Sequence, residues 1–114
     1  NHGLLMEWIT RNLENQFRDL IQKGKVFILY GARRVGKTSV IEKYIKENIS
    51  NHFIGTGDDL QLREILSSEK QNLINKSFQG YDLVFIDEAQ RIPNIGWGLK
   101  ILVDSNHDLK ILIY

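Results

Sequence analysis

Two short runs of apolar residues without polar interruption stand out along the chain, at residues 26–30 and 83–86. Both are too short for a buried helix and rich in residues that favour strands. They therefore predict strands that are covered on both faces of a parallel sheet. A third run at 109–114 predicts a further strand, and residues 52–55 predict a shorter and weaker one.

Between these runs, apolar residues recur at intervals of three and four, which is the pattern of a helix with one buried side. This spacing predicts helices over residues 4–22, about 37–49, 60–78 and 97–104. The order is one helix, then strand and helix in alternation, then a last strand. Such alternation is typical of an α/β domain in which helices cover a parallel sheet.

The loop after the first strand carries the clearest chemical signal. Residues 31–38 match the phosphate-binding (P-loop) pattern, with glycine in the first and sixth positions followed by lysine and threonine. Glycine lets the backbone turn its amide groups toward phosphate oxygens, and the following helix points its positive end at the same anion. Lys37 then reaches the β- and γ-phosphates of ATP, and the Thr38 hydroxyl ligates Mg²⁺. The predicted nucleotide-binding residues are Gly31, Ala32, Arg33, Arg34, Val35, Gly36, Lys37, Thr38 and Ser39.

Two acidic residues, Asp87 and Glu88, follow the second buried strand. Ligands of open α/β sheets bind at the carboxyl ends of the strands, so Asp87 is predicted to ligate Mg²⁺ together with Thr38. Glu88 is placed to orient or deprotonate a water for in-line attack on the γ-phosphate. Glu88 and Lys37 are therefore the predicted catalytic residues. An acidic pair in this position is often only a helix cap, but its place about 50 residues after a P-loop favours the metal site.

Neighbouring polar residues leave alternatives open. Arg33 and Arg34 either add positive potential near the phosphates or lie on a solvated loop surface. Gln90 either positions water or transmits the nucleotide state, or it only fills a loop. Asp58 and Asp59 are predicted to be turn residues, with a place at the site as the alternative. Trp8 and Trp97 are predicted to be packing residues rather than a platform for adenine.

The composition of the chain limits the classes of partner that the sequence supports. The 15 Lys and Arg residues against 14 Asp and Glu give a net charge of +1, without the basic excess typical of nucleic-acid-binding proteins, so such a partner is unsupported. The chain has no cysteine, which excludes disulfides and thiolate metal sites, and its three histidines lack ligand spacing. No apolar stretch reaches the roughly 20 residues of a membrane span, and no signal peptide is recognisable. These features predict a cytoplasmic protein without a membrane partner.

Residues 31–38 together with the segment Phe-Ile-Asp-Glu-Ala-Gln-Arg-Ile-Pro at 85–93 resemble the AAA-superfamily ATPases of prokaryotes whose acidic motif reads Asp-Glu-x-Gln. The resemblance covers nearly the whole chain. It implies a P-loop NTPase (AAA/RecA-like) fold of the α/β class, an incomplete parallel sheet of about four strands with helices on both faces. It also implies that strand 109–114 lies between the strands at 26–30 and 83–87. Residues 1–24 are then a leading helix and residues 25–114 the P-loop core.

The last apolar run reaches Tyr114 without a turn or cap, so the chain is expected to be the N-terminal part of one such ATPase domain. The resemblance implies that a sensor residue, a fifth strand, arginine contributors and a partner protein or C-terminal domain lie beyond that residue. The first strand is then a sheet edge, and self-association of the chain through it is expected.

The predicted function is MgATP binding and ATP hydrolysis that drives a conformational change in a larger protein. The alternative is a nucleotide-gated switch, in a regulatory or nucleic-acid-handling protein, with little or no turnover. Small-molecule kinases often lack the acidic pair and need an arginine-rich lid, and the Asn-Lys-x-Asp guanine signature of GTPases does not occur. Both classes are therefore less well supported.

Overall fold

The computed structural model describes residues 25–28 and 37–114, with the backbone alone for the first two residues of the second stretch. The predicted leading helix at 4–22 and the P-loop residues 31–36 lie outside the described residues. The division of the chain at residue 24 therefore stays a prediction.

The described strands form one parallel sheet. Its order is β1-β4-β3-β2, and every neighbouring pair is parallel. The strand near the end of the chain therefore lies between the first strand and the strand that precedes the acidic pair, as the family resemblance implies. The strands are β1 (Val26–Ile28), β2 (His52–Thr56), β3 (Leu83–Asp87) and β4 (Lys110–Ile113).

Helices cover both faces of this sheet. Successive residues of a strand point to opposite faces, so each strand contributes to the core on both sides. Leu83 and Phe85 pack on one face against α1, whereas Val84 and Ile86 belong to the core on the other face, formed with α2, α3 and α4. The predicted α/β fold is confirmed. The described chain has no helix that is long and apolar enough to cross a membrane. The helices are α1 (Lys37–Asn48), α2 (Leu60–Ser67), α3 (Gln71–Ser77) and α4 (Ile95–Ser105), with a short 3-10 helix at Ala89–Arg91.

The single helix predicted over 60–78 is wrong, because the chain breaks it into α2 and α3. The Ser68 hydroxyl donates a 2.7 Å hydrogen bond to the Ile65 carbonyl and accepts the Lys70 backbone N–H at 3.1 Å. Glu69 between them has a left-handed backbone with φ of 58°. Serine side chains compete with the helical backbone for hydrogen bonds in this way, which ends α2.

Three apolar residues predicted to be buried are exposed: Ile28 of the first strand by 49%, Leu73 on the apolar side of the predicted helix 60–78 by 41%, and Trp97 by 53%. For Leu73, the restart of the chain in α3 changes which residues face the core. For Trp97, the cause is the close approach of α4 to α2 at the neighbouring Gly98, where a Cβ would lie 2.3 Å from the Leu66 carbonyl oxygen. That contact turns Trp97 outward, so its predicted packing role is wrong, and Trp8 lies outside the described residues.

Among the described strands, β1 and β2 form the two edges of the sheet. On β1, Ile28 leaves 49% of its surface exposed. Apolar edge strands can pair with a strand of another chain. Self-association of this chain through β1 stays a prediction.

Candidate functional site at the carboxyl edge of the sheet

Asp87 is the last residue of β3 and pairs in register with Thr56, the last residue of β2. Strand alternation places it on the face of Leu83 and Phe85, which α1 covers. Helix α1 ends shortly before β2, which, like every described strand of this parallel sheet, begins at the edge opposite to the carboxyl ends. The N-terminus of α1, at Lys37, is therefore directed toward the carboxyl edge. The acidic strand end and the beginning of the P-loop helix therefore share one face and one edge of the sheet.

Backbone contacts fix Asp87 in this position. Its Oδ1 accepts the Glu88 backbone N–H at 2.9 Å, and its carbonyl oxygen accepts the Gly57 N–H at 2.7 Å. The residue is half-buried at the end of a fully buried strand. A carboxylate held in this way is a suitable oxygen ligand for a hard cation such as Mg²⁺.

Glu88 has a left-handed backbone, with φ of 55° and ψ of 35°. Non-glycine residues seldom adopt this conformation, which is found disproportionately at functional sites. Its carboxylate oxygen Oε2 accepts the side-chain amide of Gln90 at 2.7 Å and lies 3.5 Å from Nε of Arg91. Gln90 thus contacts the candidate catalytic carboxylate, and its role there stays a prediction.

Arg91 is a residue of the candidate site that the sequence interpretation missed. Its Nε lies 3.1 Å from Oδ1 of Asp58, in addition to its contact with Glu88. Asp58 does lie in a turn, as predicted, but it also reaches the site through Arg91. Asp59 is structural, since its Oδ1 caps α2 by accepting the Gln61 N–H at 3.0 Å. The signal that was available is the place of Arg91 three residues after Glu88, one turn further along the chain.

Gly57 is required by a close approach to Glu88. A Cβ at this position would lie 2.0 Å from the Glu88 carbonyl oxygen, so a side chain forces the β2–α2 turn away from the end of β3. Gly57→Ala is therefore expected to lower the free energy of unfolding by about 1–3 kcal/mol, the usual effect of overpacking. Urea denaturation measures the change.

The control is Gly96→Ala in α4, because an added Cβ there meets nothing within 4 Å. Alanine also favours the helix over glycine by up to about 1 kcal/mol, so this variant is expected to be neutral or more stable. Equal losses in the two variants would show that the contact between Gly57 and Glu88 is unimportant.

The other predicted site residues are described only in part. Ser39 is exposed on the first turn of α1. Lys37 and Thr38 are the first two residues of that helix. The structure thus brings together Asp87 and Glu88 with residues from the β2–α2 turn and the 3-10 helix, and the contacts of the P-loop stay predictions.

The residues present fit a magnesium nucleotide better than an ion bound by protein alone. Within residues 25–28 and 37–114, no three His, Cys, Asp or Glu side chains form a metal-binding group. Mg²⁺ in nucleotide enzymes is held by one or two protein ligands together with substrate phosphates and water. Asp87 lies at the same edge of the sheet as the N-terminus of α1, which is the position required of such a protein ligand.

The sheet order, the acidic pair at the carboxyl edge and the helix that starts at a Lys-Thr pair define a nucleotide-binding α/β domain. Within that class, the sequence matches the model of the AAA domain family over residues 23–114. The chain therefore belongs to the AAA domain family and is a P-loop ATPase domain of the AAA superfamily. None of the curated proteins and none of the solved structures shows significant similarity to it.

Proposed function

We propose that this domain binds MgATP and hydrolyses it, and that the nucleotide state drives a conformational change in a larger protein. Membership of the AAA domain family supports nucleotide binding. The observation that carries the proposal of hydrolysis is that buried β3 ends in Asp87, on the face of the sheet that α1 covers, and is followed directly by Glu88. A carboxylate beyond the metal ligand is the group that water activation requires.

Each residue has a separate task in this proposal. The backbone amides of residues 31–36 surround the phosphates, and the Lys37 ammonium offsets the charge of the β- and γ-phosphates. Thr38 and Asp87 hold Mg²⁺, which neutralises negative charge on the phosphates when it is bound. Glu88 orients a water in line with the γ-phosphate and accepts its proton as the water attacks the γ-phosphorus. The bond from that phosphorus to the bridging oxygen breaks, and ADP is the leaving group.

Buried β3 supplies the rigidity that this arrangement needs. Its residues Leu83, Val84, Phe85 and Ile86 are all 0% exposed and are packed from both faces of the sheet. A displacement of about 1 Å at a reacting group can reduce a rate by about a hundredfold, so a fixed strand end is favourable for an acidic pair.

Asp87→Asn is expected to weaken binding of ATP about 10- to 100-fold when Mg²⁺ is present, the usual effect of disturbing a metal site. With EDTA in place of Mg²⁺, the affinities of variant and wild type are expected to be similar, because the carboxylate acts through the metal. Fluorescence titration with a labelled ATP analogue measures both affinities.

Asp82→Asn is the matched control, because Asp82 is an exposed aspartate that directly precedes the first residue of β3. It is expected to bind MgATP as wild type does. If the affinity of Asp87→Asn for ATP depended on Mg²⁺ as strongly as that of wild type, Asp87 would not be a metal ligand.

The second candidate is a nucleotide-gated switch with little turnover. It is favoured by the contacts of Glu88, whose carboxylate accepts a hydrogen bond from Gln90 and lies near Arg91. Phosphate release from MgATP distinguishes the two functions. Hydrolysis predicts release that saturates with ATP and exceeds the Lys37→Ala background, whereas tight binding without release would favour the switch.

A further inference from the structure

We infer that Thr56 is a positioning residue of the nucleotide site, and that its hydroxyl oxygen accepts a hydrogen bond from a water bound to the Mg²⁺ that Asp87 ligates. The inference rests on the proposed function in one respect, which is that a magnesium nucleotide binds at the carboxyl edge of the sheet. Hydrolysis is not required. The sequence did not mark Thr56, because it directly follows the short and weak strand predicted at 52–55.

Thr56 and Asp87 lie side by side. They are the last residues of β2 and β3, and they pair in register. Residues that pair between neighbouring parallel strands present their side chains to the same face of the sheet. Two residues earlier, Ile54 and Phe85 pair in the same way and pack in the core that α1 covers. Thr56 and Asp87 therefore share this face and the carboxyl edge toward which the N-terminus of α1 is directed.

Hydrogen bonds of the backbone hold the end of β2 against the end of β3. The carbonyl oxygen of Thr56 accepts the Asp59 N–H at 3.1 Å, and the N–H of the next residue, Gly57, donates to the Asp87 carbonyl at 2.7 Å. A Cβ on Gly57 would lie 2.0 Å from the Glu88 carbonyl oxygen, so the two strand ends are in close contact. The sheet thus fixes where the Thr56 side chain stands relative to Asp87.

The Thr56 hydroxyl has hydrogen-bonding capacity that the described chain does not use. A hydroxyl oxygen has two lone pairs and one hydrogen. One lone pair of Oγ1 accepts the Asp58 N–H at 3.2 Å, which orients the side chain. Within residues 25–28 and 37–114, the second lone pair and the hydrogen have no partner. The residue is half-buried, so a ligand at this edge can reach the hydroxyl.

The chemistry of Mg²⁺ indicates what fills this place. In nucleotide sites Mg²⁺ keeps several waters beside one or two protein ligands and the phosphates. A bound cation polarises these waters and makes them good hydrogen-bond donors. The side chain next to a metal-ligating carboxylate is therefore well placed to accept from such a water, and partners of this kind orient the metal and its ligands. The neutral Thr56 hydroxyl does this without adding charge.

The test uses Thr56→Val, which replaces the hydroxyl by a methyl group and keeps the β-branched shape that suits a strand. Its affinity for a labelled, non-hydrolysable ATP analogue is expected to fall about tenfold in Mg²⁺, the lower end of the effect of outer partners of a metal. With EDTA in place of Mg²⁺, its affinity is expected to equal that of wild type. Fluorescence titration measures both affinities.

The two conditions separate the metal-bound water from other causes. A loss that is equally large with EDTA would show that Thr56 acts on a phosphate oxygen or only through its turn contact with Asp58, and would overturn the inference. Thr56→Ser keeps the hydroxyl and is expected to recover the affinity in Mg²⁺. A serine variant as weak as Thr56→Val would attribute the effect to packing and would also contradict the inference.

Ser67→Ala is the matched control. Ser67 on α2 is likewise half-buried, and its hydroxyl donates to the Arg63 carbonyl at 2.6 Å. This variant is expected to bind the analogue as wild type does, with and without Mg²⁺. A loss equal to that of Thr56→Val would show that removing any half-buried hydroxyl loosens the domain, and that Thr56 has no special role.

A double-mutant cycle with Asp87→Asn completes the test. In that background Thr56→Val is expected to cause no further loss of affinity in Mg²⁺, because both side chains act through the same ion. A further tenfold loss, about 1.4 kcal/mol, would show that they act independently and would overturn the inference.

Failure of this inference and failure of the proposed function give different results. If Mg²⁺ does not strengthen binding of the analogue by wild type, both fall together. If Mg²⁺ strengthens it and Asp87→Asn removes the gain while Thr56→Val does not, only the role of Thr56 is wrong. Because the analogue is not hydrolysed, the expected pattern supports the role of Thr56 even if the domain turns over no ATP.

Discussion

Substitution of Glu88 by glutamine is expected to lower the turnover of ATP about 100- to 10,000-fold, the contribution of a positioned general base. Glutamine has nearly the same shape, and its side-chain oxygen can still accept the hydrogen bond from Gln90, so the site keeps its geometry. What is lost is the group that takes a proton from the attacking water. Affinity for MgATP is expected to remain near that of wild type, so the effect appears in kcat, measured by phosphate release.

The chain offers a closely matched control in Glu69. Its backbone is left-handed like that of Glu88, with φ of 58° against 55°, but it lies in the exposed break between α2 and α3. Glu69→Gln is expected to have wild-type turnover. If Glu88→Gln also turned over ATP at the wild-type rate while binding it normally, Glu88 would not be the base.

Replacement of Lys37 by alanine is expected to weaken binding of MgATP about 10- to 100-fold. The reason is the loss of a charge-assisted contact to the β- and γ-phosphates, together with the positive charge at the start of α1. Isothermal titration calorimetry measures the affinity, and the melting temperature of the free protein is expected to change little.

Lys43→Ala tests whether any lysine on α1 has this effect. Lys43 is exposed in the same helix, further from its N-terminus, and its loss is expected to leave the affinity unchanged. Wild-type affinity in Lys37→Ala would contradict the P-loop assignment.

Much of the fold could be predicted because the buried strands leave a strong pattern. The run 83–86 has no polar residue, which is typical of a strand that is covered on both faces, and its four residues are fully buried. Periodicity did not reveal the break after α2, since the hydrogen bonds of Ser68 overrule the apolar spacing. It also could not orient Trp97, because the contact of Gly98 with α2 depends on how two helices cross.

The candidate site likewise has one part that the sequence could predict and one part that it could not. Asp87 and Glu88 were recognisable because they end a buried strand, and their position requires only the strand and its direction. The contacts among Gly57, Asp58 and Arg91 depend on β2 lying beside β3 in register. That pairing joins segments that are distant in the sequence, and no local pattern encodes it.

The proposed function depends on the binding of MgATP by this AAA domain through its P-loop and Asp87. Calorimetric titration of the wild-type chain with MgATP, compared with MgGTP, tests it most directly. We expect saturable binding of one MgATP per chain and a clear preference over MgGTP. No binding heat and no thermal stabilisation by either nucleotide, in a chain shown to be folded, would contradict it.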